Sequence, residues 1–140
     1  MKLFRSIALG FGLLLATGSA FAQQTHVKAN IPFAFTIDGK SLPAGEYTVD
    51  SLALDGVSLA IRSRENKVAR LVLSSSYSRG VNPFPKTALV FHRVNGQYFL
   101  SEVMVEGQKV GRQLRTSDAE IQLAKTQPQE NVIIAAELSR

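Results

Sequence analysis

The stretch Ala88-Leu-Val-Phe-His-Arg-Val-Asn-Gly-Gln-Tyr-Phe-Leu-Ser-Glu-Val-Met-Val105 decides the fold class. Asn95-Gly96 suits a two-residue turn in which both central residues need φ > 0, and runs of β-branched and aromatic residues flank it. A type I′ turn there pairs Val94 with Gln97, Arg93 with Tyr98, His92 with Phe99 and, further out, Leu89 with Glu102. One face of the hairpin then carries Val90, His92, Phe99, Ser101 and Val103; the other carries Leu89, Phe91, Leu100, Glu102 and Met104. Both faces are substantially apolar, so a second sheet must cover one and a helix the other.

A covering helix is encoded downstream. Ser117-Asp118-Ala119-Glu120 has the form of a capping box, in which the serine oxygen accepts the N–H at Glu120 and Glu120 reaches back. Ile121, Leu123 and Ala124 give this helix apolar surface, and Pro128 bounds it. Residues 131–138 allow a strand or a second short helix, and the β-branched run Val132-Ile133-Ile134 favours the strand.

Turn signals recur upstream of the hairpin as well. Phe33, Phe35 and Ile37 alternate with smaller residues up to Asp38-Gly39, and Leu42-Pro43-Ala44-Gly45 forms a second turn before Tyr47 and Val49. A hairpin is expected at Asp55-Gly56. The apolar parity switches between Val49 and Leu52, which a β-bulge near Ser51 would reconcile. Val57, Leu59 and Ile61 continue the core face to a charged turn at Arg64–Lys67, and a strand follows from about Val68 to Leu73. Ser74 to Lys86, with Pro83 and Pro85, reads as a long connection, either a flexible linker or a ligand-covering loop. The whole pattern is all-β and mainly antiparallel: a compact barrel or closed sandwich of about seven to nine strands, with one short helix near the C-terminus.

The first twenty-two residues have the form of a secretory leader. Lys2 and Arg5 precede an apolar run from Ile7 to Ala16, and Ala20-Phe21-Ala22 predicts cleavage after Ala22. Residues 23–140 then form a single domain. The formal charge of +5 includes Lys2 and Arg5, so the mature chain carries +3. That excess is too small for the footprint of a nucleic-acid binder. Cysteine is absent, which excludes disulfides, a thiol nucleophile, a cysteine metal site and a lipid-attachable cysteine. No mature segment is apolar enough to span a membrane as a helix, and the strands are too short for a spanning barrel.

Chemistry-bearing motifs are few. The only histidines are His26 and His92, and their surroundings lack metal-ligand spacing. No cofactor is implied, because nucleotide glycine fingerprints and a G-x-S-x-G elbow are both missing. His92 stands mid-strand on an apolar face. Its ordinary role there is a buried histidine bonded to a backbone carbonyl. Glu102 faces Leu89 across the ladder and needs a partner such as Arg93, Arg112 or Arg115 to hold its charge. Arg93 and Tyr98 lie near the hairpin tip, and Tyr77 and Phe84 bracket the long connection, where they could lie across the end of the barrel.

Ile31-Pro32-Phe33, Leu42-Pro43-Ala44-Gly45-Glu46-Tyr47, Leu89 to Arg93, Tyr98 to Val103, Gly111 to Leu114 and Ser117-x-x-Glu120 follow one another in an order that resembles small exported proteins common in acidobacterial genomes. That resemblance covers nearly the whole mature chain. It implies a Gram-negative periplasmic or secreted location and supplies no catalytic residues. The sequence therefore points to an exported, non-catalytic domain that binds a ligand or an envelope protein. Its candidate binding residues are His92, Arg93, Tyr98, Glu102, Tyr77 and Phe84. Two alternatives stand beside it. One is a hydrolase-like enzyme using His92 and Glu102; the other is a structural envelope protein assembling through a strand edge.

Overall fold

The computed structural model describes residues 26–52, 57–64 and 69–139. The hairpin forms at Asn95-Gly96, whose φ values of +50° and +74° are those a type I′ turn requires. It joins β7 (Ala88–Val94) to β8 (Gln97–Met104), with Val94, Arg93 and His92 opposite Gln97, Tyr98 and Phe99 as the sequence predicts. Beyond Phe91 the register slips by one residue. Phe91 faces Leu100, Val90 faces Glu102, and Leu89 faces Val103 rather than Glu102. This bulge turns Glu102 and Met104 onto the face shared by Val90 and His92, which corrects the simple alternation.

The remaining elements are β1 (His26–Ile31), β2 (Phe35–Ile37), β3 (Lys40–Leu42), β4 (Gly45–Ser51), β5 (Ser58–Ser63), β6 (Ala69–Tyr77), β9 (Gly111–Leu114), α1 (Asp118–Ala124), β10 (Gln129–Ala135) and β11 (Glu137–Ser139). Eleven strands among the described residues exceed the expected seven to nine. The surplus comes from the short strands that adjoin Asp38-Gly39 and Ala136, and from β1 and β9, which no hydrophobic alternation of the expected strands covers. Asp38 takes φ +49° and Gly39 φ +75°, so the predicted tight turn connects β2 to β3.

Strand order runs β10-β7-β8-β9-β6-β5-β4-β1-β11, with β2 and β3 attached through a parallel pairing of β2 to β8. The fold is thus all-β with a helix near the C-terminus, but the sheet is mixed and not closed. Its two outermost strands are successive parts of one segment, separated at Ala136. There the Ala136 amide donates to the Thr87 carbonyl at 3.0 Å, while β11 turns to pair with β1. β1 does not pair with β10, so a seam remains where a barrel would close.

The inner faces are filled by Phe35, Tyr47, Phe91, Ile31, Ile37, Ile61 and Leu89, each 2 % exposed or less. Burying each such side chain contributes about 1.5–3 kcal/mol. Phe35 meets Tyr47 at 5.0 Å and Phe91 at 5.5 Å between ring centres, edge to face. The Tyr47 hydroxyl reaches the Pro43 carbonyl at 2.6 Å, so the phenol is satisfied inside the core.

Two strand readings are corrected. Ser51 faces Leu59 in regular register, so no bulge occurs there, and Leu52 lies exposed instead of joining the core. Ser74 to Ser76 belong to β6, because Leu114, Gln113 and Arg112 on β9 pair with them. Leu59 and Ile61 are core residues as expected, whereas Val57 is exposed. Residues 53–56 and 65–68, with the Asp55-Gly56 hairpin and most of the charged turn, fall outside the described residues. So do residues 1–25, which include the expected leader.

Candidate functional site

The six candidate residues fall into three separate groups. In the first, β6 carries Tyr77 opposite Gly111 of β9. The ring lies so close over Gly111 that a Cβ there would stand 2.6 Å from its Cε1. Phe84 from the loop flanks the ring at 5.9 Å between centres. The Arg79 guanidinium stands 5.8 Å from the ring centre and bonds Glu102 at 2.5 Å. Glu102 is therefore held by Arg79, not by Arg93, Arg112 or Arg115. Arg112 instead donates to the Ser74 hydroxyl at 2.9 Å and the Ser74 carbonyl at 3.1 Å.

The loop that brings Arg79 and Phe84 to the sheet is anchored. The Phe84 amide donates to the Gln108 carbonyl at 2.8 Å, the Gly107 amide returns a bond to Phe84 at 2.9 Å, and Phe84 itself is buried. The Tyr77 hydroxyl is buried without a hydrogen-bond partner of good geometry. Burial first, and then the nearby Glu102 carboxylate, push its pKa well above the ordinary phenol range.

His92 and Glu120 form the second group. Glu120 is the one buried residue of α1. Its carboxylate accepts from His92 Nδ1 at 2.6 Å, with side-chain exposures of 5 % and 16 %. A carboxylate can only accept, so the proton of this bond lies on the imidazole. Ser117 caps the helix as predicted, accepting from the Glu120 amide at 3.3 Å. The other half of the capping box is diverted, because the Glu120 side chain goes to the sheet. His92 is thus satisfied by a carboxylate rather than a backbone carbonyl. Glu102 and His92, the pair a hydrolase would need, are engaged by different partners.

In the third group Tyr98 stacks on Phe33 at 3.7 Å, and Phe33 in turn meets Phe91 edge-on at 5.0 Å. Arg93 lies 5.7 Å from the Tyr98 ring centre and 3.8 Å from Glu130 of β10. This pile joins the hairpin tip to the segment before β2 and to β10. Tyr98 is thus engaged by the chain's own Phe33 and Arg93.

Three surface grooves border the described residues, of about 310, 360 and 710 Å³. Their walls are mainly alanine, glycine, threonine and charged side chains, such as Lys28 and Glu46 in the seam and Glu106 and Glu137 beside it. Large enough for a small ligand by volume, they are partly open to solvent and no aromatic side chain lines them. Lys28 and Glu46 bond at 2.7 Å, and this bond, with Arg64 assisting, holds the Glu46 carboxyl below its ordinary range. Among the described residues no group of three or more His, Asp or Glu side chains could hold a metal, and no helix is long and apolar enough to cross a membrane.

The feature that sequence reasoning underrated is a strand edge. β10 pairs with β7 over all seven of its residues, and among the described residues no strand lies on its other side. Ile133 at its middle is 60 % exposed. The edge's signal in the sequence is the low charge of Asn131-Val132-Ile133-Ile134-Ala135. No protein-family model, curated protein or solved structure matches this chain.

Proposed function

We propose that the mature chain is an exported, non-catalytic domain of the periplasm or the extracellular space that binds another protein through the surface of its sheet. The observation that carries this reading is the contrast between interior and edge. The space between the inner faces is filled by Phe35, Tyr47 and Phe91, and the polar candidates are spent on one another. Meanwhile the backbone of β10 is left open along one side. A filled interior leaves no room for an enclosed ligand. An open strand edge supplies a row of donors and acceptors that an extended partner backbone can satisfy. The resemblance to small exported acidobacterial proteins, together with the leader-like start, supports the location.

A photo-crosslinking residue placed at position 133 and another at Val81, which is exposed in the loop, test this reading in the native host. Discrete protein adducts from position 133, and none from position 81, are expected. A thermal-shift screen of lipids and glycans runs alongside, since a ligand of the native state raises the melting temperature. Stabilisation by one of these classes, with no adduct from position 133, would replace the protein-binding reading with a small-ligand one.

A further inference from the structure

The edge of β10 also indicates what kind of partner it takes. We infer that it pairs antiparallel with the same edge of a second copy of this chain about a two-fold axis; this rests on the partner-binding reading above. Other free edges of the sheet are guarded in the ways that suppress edge pairing. β3 has three residues and begins with Lys40, and β11 has three and begins with Glu137. β10 is different. It has seven residues in unbroken register with β7 and contains no proline, glycine, lysine or bulge. Its one charge, Glu130, lies near the start, beside Arg93.

The segment is compatible with itself. In an antiparallel pair, facing residues share a side of the sheet, so a two-fold can centre on Val132 or on Ile133. Centred on Val132, Asn131 faces the second copy's Ile133 and Glu130 faces its Ile134. Centred on Ile133, the two Ile133 side chains meet and Glu130 faces Ala136. Neither register opposes like charges. Ile133, otherwise left in water, meets the second copy's Ile133 directly in the second register and across the diagonal in the first. β1 approaches β10 beside Ala135 and Ala136, where the seam groove lies, so the free part of the edge is Gln129–Ile134. Within that range the register centred on Val132 pairs five residues per copy, Glu130–Ile134, and the one centred on Ile133 only three, so the first is favoured and the interface is small. A weak, reversible dimer with a dissociation constant of roughly micromolar to millimolar follows.

The test is sedimentation of the mature protein over a wide concentration range, with hydrogen exchange read at its two ends. A monomer–dimer equilibrium is expected, with amides in 129–134 gaining protection as concentration rises. Ile133→Lys should weaken the dimer by about tenfold or more, because it introduces the guard residue that this edge lacks. Ile121→Lys, at an exposed position on α1, should leave it unchanged. Circular dichroism of both variants establishes that each is folded, and the wild-type equilibrium decides the matter even if one is not. A monomer at every concentration, or a dimer whose new protection lies elsewhere, overturns the inference. A strict monomer that still forms position-133 adducts with another protein would overturn self-pairing while preserving the partner-binding reading.

Discussion

Replacing His92 by alanine should destabilise this protein more than neutralising the carboxylate it binds. The His92→Ala change leaves Glu120, only 5 % exposed, as a buried charge facing a void. Breaking a fully buried pair in this way costs about 3–5 kcal/mol. Because His92 itself keeps 16 % of its side chain exposed, water can enter the vacated space, and the expected cost falls to about 2–3 kcal/mol. For a domain of this size that corresponds to a melting temperature lower by roughly 8–15 °C. Glu120→Gln leaves an uncharged amide against an imidazole that is neutral when unprotonated, for a loss of about 1 kcal/mol. The double change to leucine at both positions removes both polar groups and should return much of the stability. Urea unfolding followed by circular dichroism measures all three. Hydrogen exchange over 118–124 adds a local readout, since Glu120 is the one residue that α1 buries. Equal losses from His92→Ala and Glu120→Gln, or additive losses in the double variant, would refute the account of α1 as a helix anchored by charge.

Three further outcomes follow from the geometry. Gly111→Ala drives a methyl into the Tyr77 ring, which Phe84 and Arg79 keep from moving aside, and should cost about 1–3 kcal/mol. The same change in a Tyr77→Ala background should be nearly neutral, as urea midpoints would show. Tyr77→Phe removes a buried hydroxyl that lacks a partner and should leave neutral-pH stability within about 1 kcal/mol of wild type. Since the folded state raises the Tyr77 pKa above its ordinary 10.0, the stability it contributes is complete below pH 10 and is lost as pH rises further. Thermal unfolding from pH 9 to 12 should therefore fall more gently for Tyr77→Phe than for wild type. Asn95→Ala places a Cβ with no local side-chain hydrogen bonding at φ +50° and should lower stability by about 1 kcal/mol, whereas Asn95→Gly should be tolerated.

Much of the fold was legible because local chemistry and tertiary structure agree. Asn95-Gly96 and Asp38-Gly39 each needed positive φ and obtained it, Ser117 capped the helix it was expected to cap, and Val132-Ile133-Ile134 became a strand. The slip at Phe91 was not legible, because both faces of the hairpin are apolar and the pattern cannot penalise a one-residue shift. Ser74 to Ser76 looked like loop residues, yet they pair through backbone groups that carry no side-chain signature. Of the candidate residues, Tyr77, Phe84 and Glu102 converge around Arg79. Arg79, which holds Glu102, came from the loop and so lay outside any strand periodicity. The capping box supplied a complete local explanation for Glu120 and so concealed its distant partner.

The segment from Gln129 to Ser139 touches both margins of the sheet, pairing His26 with Ser139 at one end and Val94 with Gln129 at the other. For the folding reaction this means that the β4–β5–β6 meander and the β7–β8 hairpin can zip through nearby residues. Joining β1 to β11, by contrast, closes a loop of roughly 110 residues. Until that step is complete, Glu137-Leu138-Ser139 waits without its partner, and the β1 of a second chain in the same state offers it a ready substitute. The rate of this one closure, set against the rate of encounter between unfinished chains, governs the refolding yield at high concentration.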